Sequence, residues 1–288
     1  MNEDITFESK LIKDNTWMIF GRGCTAYLLV GDDFGVMIDT GENYEDIHEY
    51  VTTLTDKPVD IVLNTHGHFD HTGGNGHFKV ALMGRLAAQI AKLPNGPFGE
   101  ENIDKFKLDY PIVVVDDGFK IDLGGRVIEA FKIDAHSPDS IAWLDYKERI
   151  VFGGDALGRM VPNMYKCDDP QPSMLLLVQS LGRLLSKRAD FDYMVSGHGR
   201  ELCPASYIDY NMICALRAIN GECDERPKMG PGGPGGPKGP GAKGPKGTPP
   251  AAGVPAELKG FVSYKEVGIS FCKNYATDPT RYDIVSGT

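Results

Sequence analysis

Thr65-His66-Gly67-His68-Phe69-Asp70-His71-Thr72-Gly73-Gly74 holds three of the seven histidines of the chain within six residues, with an aspartate among them. A lone histidine is usually a packed or solvated side chain, but this density has few structural explanations. Imidazole nitrogens and carboxylate oxygens are the ligands that suit zinc and its first-row neighbours. The stretch follows the apolar run Val59–Leu63, which itself follows a strand-like GVMIDTG at 35–41 and helical spacing over Tyr44–Leu54. Such a β-helix-β unit delivers His66 at the C-terminal end of a strand. In an extended segment His66 and His68 point the same way and can share one ion, while Asp70 and His71 can address a second. Four ligands from one loop cannot close two coordination spheres, so more must come from downstream. His136 in AHSPDS, Asp155 in FGGDAL and His198 in SGHG are the candidates, each after an apolar run and beside Gly or Pro.

Outward from this motif, TWMIF (16–20) and TAYLLV (25–30) read as antiparallel strands. A strand is expected at Phe78–Met83, a helix at Arg85–Leu93 and a surface loop over Pro94–Tyr110. Then come PIVVV, FKIDL, VIEAFKI, IAWLDY and RIVFGG, a second β-rich half. Met174, Leu177, Val178, Leu181, Leu184 and Leu185 predict an amphipathic helix capped by Ser173. Asp192–Val195 is expected as a strand, Ala205–Ile219 as a helix ending at Gly221, and Gly260–Cys272 as a last apolar stretch. Two β-rich halves, each followed by helices, imply sheets packed on each other with helices outside.

The 288 residues carry 40 acidic and 30 basic side chains, net −10, and are 41% hydrophobic, which excludes wholesale disorder. The unusual feature is Gly230–Pro255, where 18 of 26 residues are Gly or Pro; without its three lysines the rest of the chain stands at −13. That charge argues against nucleic acid or an anionic membrane surface as partner. The tract holds too few regular G-x-y triplets for a collagen-like trimer and is expected to be a flexible linker. The organisation expected is therefore a domain over 1–225 that carries the candidate ligands, a Gly/Pro-rich linker or loop over 226–259, and a segment over 260–288 closing the same domain. No apolar run is long enough for a membrane span, the opening MNEDITFESK has no signal-like core, and the six cysteines show no CxxC spacing. A cytoplasmic protein with reduced thiols is expected.

HxHxDH at 66–71, a histidine in the AHSPDS turn, an aspartate in a GD pair and a histidine in SGHG occur in the order that resembles the metallo-β-lactamase superfamily, over roughly residues 15–220. The resemblance implies an α/β fold, a four-layer αβ/βα sandwich of two mixed β-sheets with helices on the outer faces. It implies two divalent metal ions, zinc first, with iron or manganese as the other candidates. His66, His68 and His136 would hold one, Asp70, His71 and His198 the other, and Asp155 would bridge them. Asp39, in the IDTG turn, matches an aspartate that orients a ligand histidine. The implied chemistry is hydrolysis by a metal-bridging hydroxide, with Asp70 as a candidate proton carrier.

Asp139 stands where the family usually has glycine, which reads as a neutral change in a turn. Arg159, Asn163 and Tyr165 follow Asp155 and are the candidate substrate contacts. His48 is expected at the surface, His77 packed in its loop, and Cys167 and Cys203 as inert thiols. The expected activity is hydrolysis of a small-molecule ester, thioester or lactone. The bridging Asp155 disfavours a β-lactam, and beyond the five assigned histidines only His48 and His77 remain for the further functional histidine that the nuclease branches usually add. A mononuclear iron oxidoreductase of the persulfide dioxygenase type, or a β-lactam hydrolase, is the alternative. A homodimer is the candidate assembly.

Overall fold

The computed structural model describes residues 7–42, 45–92, 109–161, 173–225 and 258–277. Strands β1 (Glu8–Lys13), β2 (Thr16–Phe20), β3 (Thr25–Val30) and β4 (Gly35–Ile38) form an antiparallel meander. Helix α1 (Ile47–Val51) leads to β5 (Val59–Leu63), the short helix α2 (Phe69–Thr72) and β6 (Val80–Met83). Helix α3 (Arg85–Ala91) then precedes β7 (Ile112–Val114). From β4 to β7 the pairing is parallel, so the first sheet is mixed, in the order β1-β2-β3-β4-β5-β6-β7.

The second half supplies β8 (Lys120–Asp122), β9 (Val127–Lys132), β10 (Ile141–Asp145), β11 (Ile150–Phe152) and β12 (Met160–Val161). After these come helix α4 (Met174–Leu185), β13 (Tyr193–Val195), β14 (Cys203–Pro204) and helix α5 (Ser206–Ile219). The second sheet is mixed too, in the order β14-β13-β11-β10-β9-β8, with only β11 and β13 parallel. A hairpin of β15 (Lys259–Tyr264) and β16 (Val267–Cys272) makes a third, small sheet with β12.

Alternation along the strands sorts the apolar side chains into three cores. Leu29, Ile38 and Leu63 of the first sheet meet Ile128, Trp143, Ile150 and Phe152 of the second between the sheets. Met37, Val62 and Ala81 face α1 and α3 on one outer side. Leu144 and Val151 face α4, α5 and the hairpin on the other. The result is the expected four-layer αβ/βα sandwich. The hairpin contributes Val262, Val267, Ile269 and Phe271 to the outer core of the second sheet. Asp224 fastens it, accepting from Ser263 N at 2.7 Å and pairing with Arg217 of α5 at 2.9 Å.

One polar group crosses the inner core. Arg126, 1% exposed, donates to Asp145 Oδ2 at 3.0 and 2.5 Å in its own sheet, and to Asn15 O, Val30 O and Thr16 Oγ1 of the other at 2.8, 3.0 and 2.6 Å.

Several boundaries differ from expectation. Helix α1 starts only after Asp46, whose carboxylate caps it by accepting from the His48 and Glu49 amides at 2.9 and 3.1 Å; Tyr44 lies outside the described residues. The strand read from Phe78 begins at Val80, because Phe78 closes a turn onto Asn75 O. Strand β1 lies in a charged stretch read as terminal, an edge strand with Leu11 57% exposed. Ser173 caps α4 as expected, accepting from Leu176 N at 3.2 Å. The Gly/Pro tract and residues 93–108 lie outside the described residues.

Candidate metal centre

Parallel pairing of β4 and β5 brings the residues after their ends together. Asp39, in the left-handed region with φ 56°, aims its carboxylate at the chain leaving β5. It accepts from Thr65 N at 2.8 Å, Thr65 Oγ1 at 2.6 Å, Asn64 Nδ2 at 3.3 Å and His71 Nδ1 at 2.7 Å. Asp70 and His71 ride on α2. In the second sheet, parallel β11 and β13 set the residues after their ends side by side, with Gly197 N donating to Gly154 O at 2.8 Å. Gly154 (φ 51°) and Gly197 are small by necessity: a side chain on Gly154 would collide with Thr65, and a Cβ on Gly197 would sit 2.5 Å from Asp155 Oδ1.

All seven residues of the motif set converge at these strand ends. His68 Nδ1 lies 3.0 Å from His66 Nε2 and 3.0 Å from His136 Nε2. Asp70 Oδ2 lies 4.0 Å from His71 Nε2 and 3.6 Å from His198 Nε2. Asp155 stands between these trios, with Oδ1 3.6 Å from His71, and Oδ2 3.7 Å from His136 and 3.2 Å from His198. His71 Nδ1 is committed to Asp39, and its Nε2, fully buried, finds no hydrogen-bond partner among the described residues. A buried acceptor left over beside two carboxylates, and three imidazole nitrogens crowded together, are what residues fit for divalent cations look like.

The electrostatics differ between the trios. Burial, reinforced by His71, His68 and His136, holds the His66 imidazole well below its ordinary range. Burial would also lower His71, but Cys24, Asp39, Asp155 and Asp70 outweigh it and push His71 well above. Burial opposes charge on Asp155, yet His198, His71 and His136 hold its carboxyl well below the usual carboxylate range. His198 is raised by Asp155 against its burial. One trio is thus made of imidazoles alone, with charge disfavoured on His66, and the other sets carboxylates beside the imidazoles of His71 and His198.

Three residues of this neighbourhood escaped the sequence reading. Thr65 and Asn64 hold Asp39, and Cys24, buried, lies with Asp39 and His71 in a group whose ligand atoms are within 4.8 Å of one another. Burial pushes the Cys24 thiol up to about 11. Of the three, only Thr65 touched the motif in sequence. Arg159 is turned towards α5, donating to Tyr207 Oη at 3.2 Å; Asn163, Tyr165 and Cys167 lie outside the described residues. His77 pairs with Asp46 at 3.0 Å, and His48 is half-buried against Phe78 rather than at the surface. Cys203 is half-buried. Asp139, read as a neutral change in its turn, accepts from Leu86 N at 2.8 Å and pairs with Lys132.

Since Asp39 fixes the His71 ring and its proton at once, Asp39→Ala should weaken metal binding by about 10–100-fold, read by competition with a chelator. Unchanged affinity would mean the ring is held by packing alone.

The metallo-beta-lactamase superfamily model matches residues 19–198. The chain is 27% identical over 191 residues to hydroxyacylglutathione hydrolase GloC of Haemophilus influenzae, covering 62% of this chain and 86% of that one. It is 27% identical over 165 residues to the acyl-coenzyme A thioesterase MBLAC2 of Bos taurus, covering 48% and 59%. Across such relatives it spans from 45% to 86% of their lengths. The metallo-beta-lactamase structure from Pontibacter korlensis superposes with a TM-score of 0.56 at 19% identity, covering 72% of this chain and 98% of that one. The matched span takes in β3 to β7 of the first sheet, the end of β2 and every one of the seven converging residues. This chain belongs to the metallo-beta-lactamase superfamily.

Proposed function

We propose that the chain is a dinuclear metal hydrolase of thioesters. The observation that carries this reading is Asp155, whose two carboxylate oxygens face both trios. His66, His68 and His136 would hold one ion, Asp70, His71 and His198 the other, and Asp155 both, zinc being the metal these donors suit best. Bound divalent ions lower the pKa of water towards neutrality and polarise a carbonyl oxygen. Asp39, hydrogen-bonded to His71 Nδ1 at 2.7 Å, would orient the ring so that Nε2 faces an ion. Asp70, whose side chain is 23% exposed, would pass a proton to a departing thiolate. The net reaction is thioester plus water to carboxylic acid plus thiol.

The likeness to a hydroxyacylglutathione hydrolase and an acyl-coenzyme A thioesterase supports a thioester ahead of the ester or lactone that the motif alone also fits. Free thiols at Cys24, Cys203, Cys214, Cys223 and Cys272 suit a reducing compartment, in keeping with a cytoplasmic location. Among the described residues no helix is long and apolar enough to cross a membrane. Metal quantification followed by a screen of acyl thioesters, aryl esters, lactones, phosphodiesters and β-lactams tests the reading. Two equivalents of zinc and a preference for thioesters are expected. One iron per chain with oxygen consumption would replace it with the oxidoreductase alternative.

A further inference from the structure

Asp139 sits in the left-handed region, φ 56°, in the turn that follows His136. Glycine would adopt that conformation without strain, so an aspartate held there and 93% buried needs a reason. Its partners supply one. Oδ2 accepts the amide of Leu86 at 2.8 Å, in the first turn of α3, and Oδ1 pairs with Lys132 at the end of β9. Helix α3 has no cap of its own, because its N-cap residue is Gly84, with no side chain to offer. Gly84 is bare for the same reason: a Cβ there would lie 2.6 Å from the Cβ of Asp139. Asp139 therefore caps a helix that belongs to the other half of the sandwich.

What α3 rests on gives the cap its meaning. A Cβ on Gly67 would collide with Ala87 O and lie 2.9 Å from Ile90 Cβ, so the helix backbone seats directly on the link between His66 and His68. The turn bearing His136 is clamped besides by Ile141 N donating to Thr65 O at 2.7 Å and Ile133 N donating to Ser140 O at 2.7 Å. One carboxylate thus joins the strand before His136, the turn that carries it and the helix lying on His66–His68.

We propose that Asp139 is a positioning residue that seats α3 on the His66–His68 segment and so sets the spacing of the three-imidazole site. The proposal rests on the metal reading above. The second trio, whose His71 is held by Asp39 and Asn64, makes no hydrogen bond or ion pair with Asp139 among the described residues and should be much less sensitive to it.

Zn2+ affinity of the metal-depleted full chain, measured against a chelating competitor, tests this in two single-site backgrounds. In His198→Ala, which keeps the three-imidazole site, adding Asp139→Gly should weaken zinc binding at least about tenfold. In His136→Ala, which keeps the other trio, the same change should alter it less than about threefold. Asp139→Asn, whose amide oxygen can still accept from Leu86, should restore most of the loss. Leu86→Pro, which removes the donor within the first turn of α3, where the amide has no acceptor inside the helix, should reproduce the effect of Asp139→Gly and serves if the glycine variant does not fold. Equal affinities with and without Asp139→Gly, or equal losses in both backgrounds, would overturn the proposal. An unmodified chain that takes up no zinc would instead overturn the metal reading on which it stands.

Discussion

Replacing Asp155 with alanine should reduce bound metal from two equivalents to one or fewer and slow thioester hydrolysis about a thousandfold or more, a loss of roughly 4 kcal/mol in transition-state stabilisation. The size follows from its neighbours. Its oxygens lie within 3.2–3.7 Å of imidazoles from both trios, and no other described carboxylate faces His136 and His198 together. Without it the imidazoles of His71 and His198 lose an anion that raises both their pKa values, and two cations would stand close with less charge between them. Asp155→Asn separates charge from shape: it keeps the volume but should fall nearly as far. Metal analysis beside kcat/KM on an acyl thioester decides the matter. Two retained equivalents with activity within tenfold would show that Asp155 is only packed beside the centre.

How much of this could be read without coordinates depended on whether the signal was local. The histidine and aspartate cluster was legible because His66, His68, Asp70 and His71 share one short segment, and because His136, Asp155 and His198 each end an apolar run. The sandwich was legible from periodicity in β2 to β5 and in β9 to β11. Edge strand β1 was not, since a strand half open to water need not look apolar. Cys24, Asn64 and the capping by Asp139 were not either: each acts across the fold, on a partner from a different element. Asp139 is the sharpest case, since a turn residue that tolerates positive φ reads as filler until its partner on α3 is known.

The second large effect concerns the frame. Arg126→Met should destabilise the fold by about 3–5 kcal/mol, because it leaves Asp145, fully buried, as a charge without its partner. Carbonyls of Asn15 and Val30 and the hydroxyl of Thr16 lose their donors at the same time, so the cost falls on the contact between sheets. Thermal unfolding should move down by roughly 10 °C. Adding Asp145→Asn should recover part of that loss, since an amide is cheaper to bury alone than a carboxylate. A shift of less than about 1 kcal/mol would mean that water or repacking satisfies Asp145 unaided. Metal stoichiometry of the surviving folded fraction should not change, which sets this defect apart from that of Asp155→Ala.

The small sheet bears on how the protein is made. β12 comes shortly after Asp155, but its pairing partner, β16, follows every proposed ligand in the chain, with Val161 opposite Ile269. At ordinary translation speeds of about 5–20 residues per second, the stretch leaving Asp155 waits roughly 5–20 s for that partner to be synthesised. During that wait Val161 and its apolar neighbours, later covered by the hairpin, lie bare. Pairing of the stretch that leaves Asp155 is thereby deferred until β16 has been made, and a nascent chain stalled within the Gly/Pro tract would hold the candidate histidines and aspartates but not the strand that pairs with β12.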